Sequence, residues 1–441
     1  MTADIASIDL NGLRQMMAIH GVGELLVKTL AANDNSKNQP YLGGSLGILN
    51  ILPIGDVIEH TTASGKIGLK AALPLSWLRA DGSLAAAPHA QIILYPQYPE
   101  IRFSGFLKGT QGAPNDMMTV REAGRLLFFG VTADRKIIAA VAGARSRLAA
   151  EIINLGGLPR TGVFQHVGMG HLQTSRARLL AKLSIIHQKG WIDSGRLRAD
   201  GSRGPCQATN CGGYTLEAEL GITPNGRAEP DFDGWEIKAH AVKDFERAQS
   251  GNITLMTPEP TGGLYKANGA EAFVRRFGYS DMSGKPDRLN VSSPHYFGVR
   301  NNKTALTLSL IGYDRPKGRI IDPQGGFALV DDQGSEAAAW HYASLISHWN
   351  RKHAQAAYIP YRMQKSPILQ YNYGSYIRLG EMTDFDLFLK AMADGRIFYD
   401  PGIKLEKAGE TKPILKRRSQ FRIGSAFVSS LYEKFETIDV Q

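Results

Sequence analysis

The run Pro230-Asp231-Phe232-Asp233-Gly234-Trp235-Glu236-Ile237-Lys238 sets two carboxylates and a lysine where they can converge. Side chains alternate across a strand, so a strand opening at Trp235 turns Trp235 and Ile237 to one face. Glu236 and Lys238 then share the other face, about 6.6 Å apart. Asp231 stands at or before the strand start, and the Pro-Asp turn can bring its carboxylate alongside Glu236. Two carboxylates meeting at one point offer hard oxygen ligands that suit magnesium. A magnesium there lowers the pKa of a bound water and offsets charge building on a phosphorus centre. The lysine can orient or deprotonate that water and stabilise the transition state. This is the equipment of metal-dependent phosphodiester hydrolysis. The competing reading is a surface strand with an ordinary Glu–Lys pair beside a turn, and the short pattern alone does not separate the two.

The elements around the run favour the first reading. Gly212-Gly213 leads into a short helix, Tyr214 to Leu220, which places Glu217 upstream of Asp231 as a further carboxylate for the same site. Trp235 to Ala239 reads as the strand itself, and Ile253 to Thr257 as another, stopped by Pro258. Upstream, Thr174 to Lys189 has helical spacing of Leu179, Leu180, Leu183 and Ile186, followed by a Gly/Arg-rich loop from Ser194 to Gly213. Downstream, Ala305 to Tyr313 and Gly326 to Val330 read as strands of a meander, and Glu336 to Lys352 as a helix with Trp340, Leu345 and Trp349 inward. Ahead of all this, Leu10 to Leu30 reads as an amphipathic helix and Asn33 to Asn38 as a loop. Residues 51–141 are mostly strand, with Gln91–Tyr95 and Ile101–Phe103 as clear cases. A hairpin signal lies between Leu126–Val131 and Ile137–Val141. A helix from Ala144 to Leu155 ends at Gly156-Gly157-Leu158-Pro159, which marks the expected domain boundary. The predicted organisation is a β-rich domain over 1–155 and a second domain over 165–441. No internal repeat or low-complexity tract is present.

Composition narrows the class. The chain has 441 residues, 43% hydrophobic and 21% charged, enough for full cores in two or more domains. A formal charge of +10 and a pI near 9.4 favour a polyanionic partner, nucleic acid or an anionic membrane, although a basic enzyme of another kind fits as well. No apolar stretch is long enough to span a bilayer as a helix. Cys206 and Cys211 are the only cysteines, which excludes a disulfide-built fold; they read as two reduced thiols in a loop, without the partners a zinc site needs. Met1-Thr2-Ala3-Asp4 lacks the basic start of a signal peptide, so a cytoplasmic protein is expected.

Taken together, Thr215-Leu216-Glu217, Pro230-Asp231-Phe232 and Glu236-Ile237-Lys238-Ala239-His240 resemble the PD-(D/E)XK nucleases of the MvaI/BcnI restriction endonuclease family, which are related to the MutH-like nickases. Ile253 to Pro260 resembles the next core strand of that family, and the resemblance covers residues 165–441. It implies an α/β (α+β) PD-(D/E)XK core, a mixed sheet flanked by helices, in a two-lobed monomer that cuts double-stranded DNA with Mg2+. Carried over residue by residue, Asp231 and Glu236 bind the metal, Lys238 acts on the attacking water and Glu217 is the auxiliary carboxylate. His240 also matches a family position, either supporting these groups from behind or serving only the fold.

Lys412 to Arg422 supplies candidates for reading DNA. Lys416, Arg417, Arg418, Gln420 and Arg422 form a basic, amide-bearing cluster, and Arg and Gln can fork onto guanine and adenine edges. The segment resembles the family's base-recognition region, but Arg417, Arg418 and Ser419 stand where histidines are expected. The family reads five-base-pair sites of the CCWGG or CCSGG type, and a CCWGG-like site is the expectation here. Arg275, Arg276, Lys285 and Arg288 border a polar loop, Gly278 to Ser293, that can reach around a duplex or serve as a plain surface insertion. Residues 1–155 have no equivalent in short family members. They are expected to be an accessory domain, either a β-pseudobarrel effector that binds a second DNA site or a structural or dimerisation module. Their 14 basic and 12 acidic residues give little charge bias, though Arg102, Lys108, Arg121 and Arg125 can form a local patch. The expected function is a type II restriction endonuclease leaving 5′-phosphate ends, with a cognate DNA methyltransferase in the same system. The alternatives are a MutH-like or methyl-sensing nickase, and a DNA-binding regulator without catalysis.

Overall fold

The computed structural model describes residues 5, 8–61, 65–95, 98, 100–170, 174–223, 230–247 and 249–441. The leading Met1-Thr2-Ala3-Asp4, on which the expectation of no signal peptide rests, lies outside them. Internal contacts divide the chain into two units, Met1–Gln173 and Thr174–Gln441.

In the first unit, Asp9 caps a helix over Leu10–Ile19, its carboxylate accepting the Gly12 N–H at 2.8 Å. The helix expected to reach Leu30 stops here. Gly21, at φ 79°, turns the chain, and Val22–Leu30 is a strand. Leu25, Leu26 and Val27 are all buried there, so pairing with Arg125–Thr132 overrides the helical spacing. Seven strands form one sheet and five form another, and Phe103 of the second meets Phe129 of the first edge-on at 5.5 Å. Three charged side chains are internal. Lys28 pairs with Asp34, and the Arg125 guanidinium is enclosed by the carbonyls of Met117, Glu122, Ala31 and Asp34. Arg125 therefore does not belong to the expected surface patch, and Arg102 is engaged by Glu100 and the Gln39 carbonyl. The Gly156–Pro159 cluster lies inside this unit, because Phe164–Val167 beyond it pairs with Val22–Leu30.

The second unit is built around a mixed sheet. Its first helix, α1 (Ser175–Gln188), is capped by Thr174 and buries Leu179, Leu183 and Ile186. Next come α2 (Cys211–Leu220), β1 (Trp235–Ala241), β2 (Asn252–Met256), α3 (Tyr342–Lys352), β3 (Gln355–Gln364), β4 (Gln370–Tyr373) and β5 (Tyr376–Glu381). Toward the C-terminus lie β6 (Ile397–Tyr399), β7 (Phe421–Gly424) and β8 (Lys434–Asp439). β1 runs parallel to β3. The first half of β3 pairs antiparallel with β5 and the second half with β4, while β8 closes the far side of β5. Trp235 and Ile237 of β1 share one apolar cluster with Ala357, Ile359, Ile377 and Leu379, covered by Leu179 and Leu183 of α1 and Leu216 and Leu220 of α2. The opposite face is thereby left to Glu236, Lys238 and His240. β2, β7 and β6 form a separate three-stranded sheet.

Two expectations change in this unit. Glu336–His341 is a strand paired with Gly326–Val330, and the helix begins only at Tyr342. The apolar run Ala337 to Trp340 is buried throughout, a strand enclosed on both faces rather than a one-sided helix. Cys206 and Cys211 are joined in a disulfide rather than standing as two thiols. The turn closed by Cys211 N–H on the Ala208 carbonyl brings their Cα atoms to 5.7 Å, within bridging range.

Candidate active site

The site is assembled by a tight turn. Phe232 and Trp235 exchange backbone hydrogen bonds of 2.9 and 2.7 Å, and Asp233 and Gly234 between them take φ values of 46° and 89°. Positive φ at both positions is the two-residue hairpin turn that Asp-Gly favours. It folds Asp231 back along β1, where its Oδ2 accepts the Ile237 N–H at 2.9 Å. The turn is fastened to α1 by Arg178, whose Nε lies 2.8 Å from Asp233 Oδ2.

On β1 itself, Lys238 Nζ donates to Glu236 Oε1 at 2.7 Å, with the glutamate side chain 2% exposed and the lysine 19%. Burial alone would lower the lysine pKa. The charges of Glu236, Asp231 and Glu217 outweigh it and raise the pKa above its ordinary value. Lys238 is accordingly an ammonium here. Glu217 adds its negative charge from α2. That helix sits close to the sheet because Gly212 has no side chain. A Cβ there would stand 2.2 Å from the Tyr361 ring, and the Tyr373 hydroxyl donates to the Gly212 carbonyl at 2.7 Å. Glu219, on the same helix, is instead bound by Lys189 and Arg203.

His240 is buried, with its Nε2 at 3.4 Å from Arg378 Nη2, and Arg378 also donates to the Ser425 carbonyl and hydroxyl. Lys238, Tyr358 and Arg378 stand in register across β1, β3 and β5, a polar row on the site's face of the sheet. The Tyr358 hydroxyl is 2.8 Å from that of Tyr432, and burial pushes both phenols up. Gly380 makes room for Tyr432, since a Cβ there would lie 2.5 Å from its ring. None of Tyr358, Arg378, Tyr432 and His353 stood out in the sequence.

Among the described residues no cluster of three or more His, Cys, Asp or Glu forms a ready metal cage. The donor set is Asp231 and Glu236, oxygen only, which suits a hard divalent cation that keeps several waters.

The DNA-reading candidates divide. Gln420 is 5% exposed; its amide donates to Asp400 and its carbonyl accepts from Thr254. Arg422 is held by Asp400 at 2.7 Å and by the Asn252 carbonyl. Both side chains brace the β2–β7–β6 sheet. Lys416 pairs with Glu406, whereas Arg417 and Arg418 are exposed, Arg417 only 3.9 Å from Glu259. The segment Gly278–Ser293 expected as a loop holds the paired strands Tyr279–Ser280 and Arg288–Val291, and between them Asp281 gathers Arg288, Ser283, Asn290 and the Lys285 N–H, so Arg288 faces inward.

No helix among the described residues is long and apolar enough to cross a membrane. The sequence pattern of a restriction endonuclease family matches residues 180–432, so the second unit is a DNA nuclease of that class. The chain belongs to the MvaI/BcnI restriction endonuclease family. Among solved structures it is similar to a complex of restriction endonuclease MvaI with cognate DNA substrate, at 18% identity and a TM-score of 0.45, over 61% of this chain and 100% of that one. It is also similar to MvaI in the absence of DNA, at 19% identity and a TM-score of 0.33, over 60% and 99%. No curated protein gives a significant match.

Proposed function

We propose that this chain is a type II restriction endonuclease with a PD-(D/E)XK core that hydrolyses both strands of duplex DNA at a short site. The observation that carries the reading is the return of Asp231 onto β1, beside the buried Glu236–Lys238 pair. Asp231 and Glu236 would hold Mg2+, which when bound supplies an acidified water and charge neutralisation at the phosphate. Lys238, kept cationic, orients the attacking oxygen and stabilises charge on the scissile phosphate. Glu217 adds negative charge from α2 that favours cation entry. His240, held near Arg378, stands beside Lys238 on the same face of the strand. In-line attack would leave 5′-phosphate and 3′-hydroxyl ends, and a monomer with one such site would cut the strands in turn.

The site read is proposed to be CCWGG-like, with a cognate methyltransferase protecting the host DNA. Arg417 and Arg418 are the basic side chains best placed to meet phosphate or base edges. The first unit is proposed as an accessory domain that engages a second DNA copy, on its strand content and size. The deciding experiment incubates purified protein with plasmid DNA and Mg2+, beside EDTA and Glu236→Ala controls, and sequences the ends. Discrete ends at one sequence support the reading; intact DNA across diverse substrates rejects it.

A further inference from the structure

His353 ends α3 and is fully buried. Its ring stacks on Trp349 at 4.2 Å between centroids, 18° from parallel. Its Nε2 lies 2.9 Å from the Leu255 carbonyl. A carbonyl only accepts, so the Nε2 position carries the proton. Leu255 is no ordinary strand residue. The β2–β7 register runs Thr254 to Arg422 and then Met256 to Phe421, so Leu255 is the extra residue of a β-bulge. Bulges re-aim a strand and need a partner for the group that leaves the ladder. Here that partner is His353.

His353 lies two residues before β3, and Ala356, three residues on, is in register with Glu236. Burial first, then the Lys238 charge, pulls the imidazole down to about 3, with Glu236 opposing, so the ring is neutral. The imidazole thus joins the bulge of β2 to the segment leading into β3, the strand that pairs with β1 along its whole length. β2 in turn pairs with β7, where Arg422 stands opposite Thr254 and Gln420 bonds to Thr254; just beyond β2, Ser419 bonds to the Pro258 carbonyl.

We infer that His353 is a positioning residue that ties the geometry of Glu236 and Lys238 to the β2–β7 sheet bearing the basic C-terminal segment. A shift of β7 on DNA engagement is then passed through the bulge and the imidazole to the catalytic strand. The kinetic part of this inference rests on the nuclease reading above; the structural part does not.

The test compares His353→Phe, which keeps the ring and the Trp349 stack but loses the donor, with His353→Gln, which keeps an N–H donor. In hydrogen exchange, His353→Phe should lower protection about tenfold in the peptides spanning both 252–256 and 235–241, with His353→Gln staying close to wild type. In single-turnover cleavage with Mg2+, His353→Phe should slow the chemical step about 10- to 100-fold while DNA affinity in EDTA stays within about threefold, with partial recovery in His353→Gln. Loosening of 252–256 alone, or equal behaviour of the two variants, overturns the coupling. Should His353→Phe fail to fold, His353→Gln against wild type and the ring nitrogen spectrum of wild type decide. A proton-bearing, water-protected Nε2 is required, and its absence overturns the inference. Wild-type protein that cuts nothing defeats the nuclease reading while the exchange comparison still decides the link.

Discussion

Lys238 donates to Glu236 at 2.7 Å inside a site where the glutamate has almost no contact with water. The charges of Glu236, Asp231 and Glu217 raise the lysine pKa against the effect of its burial. Lys238→Met should therefore leave a folded protein that binds DNA but cuts about 1000-fold more slowly, the scale of removing one transition-state charge partner. Single-turnover rates beside filter binding in EDTA measure this, and a loss confined to binding would refute the assignment.

Glu219 supplies a pH-dependent test of the scaffold. Burial works against its ionised form, but Lys189 and Arg203 overcome this and hold its pKa below the ordinary 4.5. A lowered folded value gives stability that is present above pH 4.5 and is lost as pH falls through the folded value. Glu219→Gln should cost about 1–3 kcal/mol at pH 7, below the full figure for a buried pair because both basic partners are half-exposed. In urea melts the gap between variant and wild type should close below pH 4.5. A gap that persists at pH 3 would point to packing instead.

Gly212 controls how near α2 lies to the sheet. Its missing Cβ leaves space for the Tyr361 ring, so Gly212→Ala forces the helix outward or the ring aside. A stability loss of about 1–3 kcal/mol is expected from overpacking. Because the same helix carries Glu217, cleavage should fall further than the folded fraction does. Activity normalised to folded protein by circular dichroism is the readout, and unchanged normalised activity would remove Glu217 from the site.

Arg417 and Arg418 face solvent, while Gln420 and Arg422 are bound inside the fold. Alanine at Arg417 or Arg418 should weaken DNA binding, reducing the salt slope by about one for each phosphate that is no longer neutralised. Gln420→Ala should instead lower the melting temperature. Binding isotherms across salt, paired with thermal melts, separate the two classes.

The chemistry was more legible in the sequence than its support. Asp231, Glu236 and Lys238 lie in one short run whose strand alternation was legible, although the turn that returns Asp231 is made by Asp233-Gly234 rather than at Pro230-Asp231, and Glu217 lies on a segment that read as a short helix. Tyr358, Arg378, Tyr432 and His353 join the site only through strand pairing and helix packing across long stretches of chain, which no local pattern encodes. The same limit explains Leu10–Leu30 and Glu336–Lys352. In each, an apolar run satisfied helical spacing, and a neighbouring strand claimed part of it. Gln420 and Arg422 read as free ligands for DNA because Asp400 and Thr254, their partners, are distant in sequence.

The Asp233-Gly234 turn makes two parts of the site independent in origin. Asp231 and Glu236 are brought together by a loop so short that its closure costs little entropy. The pairing of β1 with β3 must instead draw in a strand from far downstream. The carboxylate pair is thus a nearly self-contained unit of the chain. Segments around it can be exchanged, lengthened or joined to new domains without disturbing its spacing, provided one sheet remains for its strand to join.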